Sequence, residues 1–204
     1  MKNGDIDLNA FQHYAFLKAW NKANNGNLVA IGDTVISPIS VYSKQLKNIS
    51  DIKEGGTIAV PNDASNESRA LYVLKSAGLI KLDDFWLKHW HDRSKIYTSN
   101  PKNLVIKELD ASQTARALDS VDAAVINNNY AVTAGLKKSD AIFTEPVNKD
   151  NQQWINIIVA NKKDENNTVY KDVVKAYETE ATKKTIAKAY PDKSTIPAWG
   201  LKLK

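Results

Sequence analysis

The chain contains no cysteine. Disulfides, thiolate zinc sites and cysteine nucleophiles are thereby excluded, and the redox compartment is left undecided. No apolar run approaches the roughly 18 residues that a membrane-spanning helix needs, and the opening "MKNGDIDLNAF" lacks the apolar core of a secretory leader. Basic residues outnumber acidic ones, 28 to 23, giving a formal charge of +5. They are spread along the chain with no block of five consecutive Lys or Arg, so no nucleic-acid arm and no nucleic-acid partner are expected. Enzyme signatures are missing too: there is no G-x-S-x-G, Walker loop, G-x-G-x-x-G or H-E-x-x-H. His89 and His91 have H-x-H spacing, but no partner ligand accompanies them. No catalytic residue, metal or cofactor is expected.

What is present is an alternation. With 43% hydrophobic residues the 204-residue chain can build a core. Strand-like apolar runs at 28–31, 35–42, 57–60, 104–109, 121–126 and 155–160 alternate with helix-like segments, which predicts an α/β architecture. Ala70, Leu71, Val73, Leu74 and Ala77 form a helical stripe that stops at Gly78, in a helix expected to begin near Asn66. Asp110 caps a shorter segment, and residues 169–190 read as one or two amphipathic helices ending before Pro191. Residues 161–167 are expected to be a polar loop or hairpin tip, and "STIPAWGLKLK" at the end a tail lying on the surface.

Two strand ends run out into polar residues, as ligand-binding edges of α/β sheets do: Val60-Pro61-Asn62-Asp63 and Ile126-Asn127-Asn128-Asn129-Tyr130. At the first, a helix N-terminus and Arg69 in its first turn would converge as an anion site sized for a carboxylate or phosphate. The alternative for Arg69 is a surface ion pair with Glu67 or Asp63. The alternative for the asparagine triplet is a turn. A third stretch, "NAFQHYAFL" at 9–17, mixes aromatics with Gln12 and His13. His13 there is either a hydrogen-bonded core residue or a functional group, and Phe11, Tyr14 and Phe16 can equally be helix-face packing.

Together these residues resemble the NlpA/MetQ family, the methionine-binding lipoproteins of bacterial ABC importers. The resemblance is carried by "GDIDLNAFQHYAFL" (4–17), "GGTIAVPNDASNESRALYVLKSAGLIKL" (55–82), "NPKNLVIKELDASQTARALDSVDAAVINNNYAVTAGL" (100–136) and "WINIIVA" (154–160). It implies a type II periplasmic-binding-protein fold, two α/β lobes with a ligand cleft between them. Residues 1–43 plus 152–204 would form the first lobe and 44–151 the second. It implies that Arg69, with Asn66 alongside, grips an amino acid's carboxylate, and that Phe11, His13 and Phe16 wall the thioether, Phe16 standing where tyrosine is more usual. Asn127, Asn129 and Asn156 match or neighbour the asparagines that receive ammonium and carboxylate; Tyr42 is a weaker candidate. The implied partners are methionine or a similar amino acid and the permease and ATPase subunits of an importer. The implied location is extracytoplasmic, by a lipid anchor in the full-length family protein. The open alternatives are another amino acid or a methionine-containing dipeptide as ligand, and a truncated non-functional paralogue.

Two departures accompany the resemblance. Family members carry a lipoprotein signal and an opening strand, helix and strand ahead of "GDID", so the first lobe is expected to lack its N-terminal part. The stretch "FWLKHWHDRSKIYTS", 85 to 99, does not follow the family. It reads either as text of another frame between two compensating shifts or as a lineage-specific loop.

Overall fold

The computed structural model describes residues 1–82 and 99–203. Residues 85 to 98 of the anomalous stretch, with His89 and His91, lie outside the described residues. Among the described residues the α-helices are, in chain order, α1 (Tyr14–Asn24), α2 (Ala64–Ser76), α3 (Asn128–Thr133), α4 (Thr168–Tyr177) and α5 (Glu180–Ala189). The strands are β1 (Leu28–Asp33), β2 (Val35–Ile36), β3 (Ser40–Tyr42), β4 (Thr57–Pro61), β5 (Val105–Leu109), β6 (Ala123–Ile126), β7 (Ala141–Thr144), β8 (Ile157–Asn161) and β9 (Ile196–Pro197). They fall into two units, Met1–Ser37 with Val147–Lys204, and Pro38–Pro146.

In the first unit β1 pairs antiparallel with β8, and β2 antiparallel with β9. Leu17 of α1 packs with Leu28, Ile157 and Val159 over the β1–β8 pair. Gly32 of β1 admits α4, since a Cβ there would sit 2.5 Å from Val174 Cγ1. The C-terminal segment corrects one expectation. Instead of lying as a tail on the surface, it supplies β9, buries Ala198 and Trp199, and sets Trp199 edge-on to Tyr177 with ring centroids 5.5 Å apart. A two-residue strand is too short to carry a readable alternation.

In the second unit five strands form one mixed sheet in the order β5-β4-β6-β3-β7. β4 runs parallel to β5 and β6, and β3 antiparallel to β6 and β7. Ile58, Ala59 and Val60 of β4 and all of β6 are buried, which is why both read as unbroken apolar runs rather than alternating ones. Tyr42 packs into this core with Leu118, Val121 and Ile126. The run at 35–42, expected as one strand, is two strands in two different sheets. It breaks at Ser37-Pro38, where proline has no N–H for a ladder. β7, a short apolar run of half-buried residues, is not among the expected strands.

Candidate functional site

The carboxyl ends of β4 and β6 lie side by side because the strands are parallel neighbours. Ser40 pairs with both Ile126 and Thr144, so the start of β3 and the end of β7 share that edge. Four segments of distant sequence thus meet at one rim of the second unit, the place where α/β sheets present ligands.

From β4 the chain turns through Asp63 into α2. Asp63 is the N-cap, its carboxylate accepting from the Asn66 backbone N–H at 3.0 Å and from the Ser65 hydroxyl at 2.8 Å. This corrects the expected anion site: the helix starts at Ala64, two residues earlier than expected, and its N-terminus is already closed by a carboxylate. Arg69 is consequently in the second turn.

Arg69 is also no surface ion pair, being 4% exposed. The carboxylate that meets it is Glu145, just past β7 and wholly buried at its side chain. Arg69 Nε donates to the two Glu145 oxygens at 3.1 and 3.2 Å, and Nη2 also bonds Oε1. Glu145 Oε1 accepts in addition from the Ile39 backbone N–H at 3.0 Å. Burying two charges costs several kcal/mol per ion, about offset only when geometry and extra hydrogen bonds are good, and here both conditions are met. The pair fixes the guanidinium plane.

Asn66 and Asn127 complete the rim. Asn66 Nδ2 donates to both Asp63 oxygens, at 3.1 and 2.9 Å, and Asn127 Nδ2 donates to Asn66 Oδ1 at 2.8 Å. Asn127 is the N-cap residue of α3 without capping it through its side chain. Its Oδ1 is buried and has no hydrogen-bond partner. Asn129, two positions on and therefore on another face of α3, is exposed.

The remaining candidates gather in the first unit. The segment at Gln12 to Tyr14 runs antiparallel to the start of β8, which sets His13 opposite Asn156. His13 is the N-cap of α1: Nδ1 accepts from the Phe16 N–H at 3.0 Å, so the proton of the neutral ring sits on Nε2. Phe16 stands edge-on to both His13 and Phe11, with centroids 6.4 and 6.0 Å apart, and Phe11 is 68% exposed. An exposed aromatic face of this kind is suited to apolar, polarizable groups. Tyr14 instead donates its hydroxyl to Asp33 at 2.8 Å; burial, then the Asp33 carboxylate, pushes its pKa up and keeps it a donor.

The family model described as NlpA lipoprotein matches residues 1–199. The chain belongs to the NlpA lipoprotein family. It is 43% identical over 181 residues to a Pasteurella multocida protein named "Probable D-methionine-binding lipoprotein MetQ", an alignment covering 88% of this chain and 64% of that relative's length. Among solved structures it is 48% identical, with a TM-score of 0.85, to the substrate-binding protein of a methionine transporter from Streptococcus pneumoniae, covering 97% and 78% of the two chains. It is 40% identical, with a TM-score of 0.86, to a nutrient-binding protein from Burkholderia cenocepacia bound to methionine, covering 96% and 80%. This NlpA-family chain thus has the periplasmic-binding-protein fold of ABC-transporter substrate-binding proteins.

Sequence reasoning missed Glu145. Its partner is 76 positions away, and the only local signal was a charged residue following the short apolar run Ala141-Ile142-Phe143. Asp63 was read as part of a polar strand end and as a possible ion-pair partner, not as the cap and carboxylate that orders Asn66.

Proposed function

We propose that this chain is the solute-binding component of an ABC importer and that its solute is methionine. Arg69 takes the carboxylate, Asn66 ordering the rim beside it; Asn127 takes the ammonium, with Asn129 and Asn156 for the remaining polar contacts; Phe11, His13 and Phe16 face the thioether. No bond is made or broken in the solute. A lipid anchor holds it outside the cytoplasm, and it hands methionine to permease and ATPase subunits. One observation carries this reading: the rim of the second unit offers a fixed guanidinium and an unpartnered buried amide oxygen, opposite polarities for the two ends of a zwitterion. The names of the relatives support methionine in particular.

A second reading, a different amino acid or a methionine-containing dipeptide, is favoured by the generic character of that rim, since only the aromatic wall distinguishes side chains. Calorimetric titration of the purified chain with L-methionine, D-methionine, leucine and a methionyl dipeptide separates the two. Saturable heat is expected with methionine. Heat confined to another of these ligands supports the second reading, and heat with none sinks both, leaving a non-functional paralogue.

A further inference from the structure

The unpartnered oxygen of Asn127 is there because of a residue two side chains away. A side-chain amide can turn over, exchanging its acceptor for its donors, and only its partners decide which end points where. Asp63 makes that decision. Its carboxylate has acceptors alone, so Asn66 must turn Nδ2 toward it, and does so with contacts of 2.9 and 3.1 Å. Asn66 Oδ1 then faces Asn127 and can receive only Nδ2, which it does at 2.8 Å. Asn127 Oδ1 is left as the far end of the relay, buried and without a hydrogen-bond partner. Each link also polarises the next, so the carboxylate's charge strengthens the terminal oxygen as an acceptor.

The geometry points to Asp63 as a positioning residue that makes the second unit's rim selective for a ligand ammonium. It acts by fixing the amide orientations of Asn66 and Asn127, and it touches no ligand itself. The proposal rests on the solute-binding reading above. Without Asp63's charge the carboxylate no longer dictates either amide's orientation, and a reversed Asn127 would present N–H to an ammonium, losing a hydrogen bond and adding a repulsion.

Two variants keep the cap while removing the charge, because Asn and Ser cap helices about as well as Asp. Asp63→Asn and Asp63→Ser are titrated beside the unaltered chain with methionine and with its des-amino analogue, which retains the carboxylate and thioether. The expected result is about a tenfold loss of methionine affinity in both variants, the analogue changing less than about twofold. Thermal midpoints stay within about 2 °C. Equal losses for both ligands mean a general structural role and overturn the proposal, as does an unchanged methionine affinity. If the unaltered chain binds no methionine, the solute-binding reading falls and the proposal with it; if it binds and the variants behave like it, only the proposal falls.

Discussion

The two ends of the second unit's sheet solve the same problem differently. At the amino end Asp122 bridges β4 and β6: its carboxylate accepts from the Thr57 backbone N–H at 2.7 Å and the Thr57 hydroxyl at 2.8 Å, and its own N–H returns a bond to the Thr57 carbonyl at 3.0 Å. At the carboxyl end Asp63 also links the segments leaving β4 and β6, but through two asparagines, and the chain of bonds stops at an oxygen with no partner. A closed circuit holds strands together. An open one leaves a buried polar atom whose cost of about 1–3 kcal/mol is recovered only when something donates to it.

The largest perturbation of this contrast is at the buried ion pair beside the open end. Arg69→Met alone leaves Glu145 charged and buried, and a loss of about 3–5 kcal/mol is expected in urea unfolding. Adding Glu145→Gln removes that charge and keeps an acceptor for the Ile39 N–H, so most of the stability returns while methionine binding does not. A stable single variant would show that the pair is not the desolvated contact described here. Next in size is Asp122→Ala, expected to cost about 1–3 kcal/mol with methionine affinity unchanged by calorimetry. Any marked loss of affinity there would erase the division between the two ends.

Acid titration sharpens the same division. The Thr57 backbone N–H first, and then its hydroxyl, hold the Asp122 carboxyl below the usual carboxylate range. A depressed folded pKa contributes stability that is present above the unfolded pKa and fades as the pH falls through the folded one, so this tie weakens below about pH 4. Asp122→Asn should flatten that part of the curve of unfolding free energy against pH. The smallest effect is expected from Asn129→Ala, within about 0.5 kcal/mol in stability because the side chain is exposed. Its affinity for methionine should fall less than that of Asn127→Ala, and the reverse order would move the ammonium to the other asparagine.

Much of this was legible in the chain. Runs buried on both faces, such as 57–60 and 121–126, announced central strands, and the polar residues after them marked the rim. The helix of Arg69 was readable from its stripe, though its start was misjudged because Asp63 was not recognised as the cap. What stayed hidden depends on long-range pairing. Nothing near Arg69 tells that its counter-charge comes from Glu145, and nothing in "NNN" tells which asparagine turns inward, since that follows from the register between β4 and β6. Pro38 split an apparently continuous strand in two, and the terminal strand was too brief for its pattern to emerge.

The most direct measurement is a crystal structure of this chain grown with methionine. The account predicts the ligand nitrogen about 2.7–3.2 Å from Asn127 Oδ1, with Asn127 Nδ2 still on Asn66 and Asn66 Nδ2 still on Asp63. A ligand carboxylate in contact with Asn127 Nδ2, or methionine seated away from Asn127 and Arg69 altogether, would contradict it.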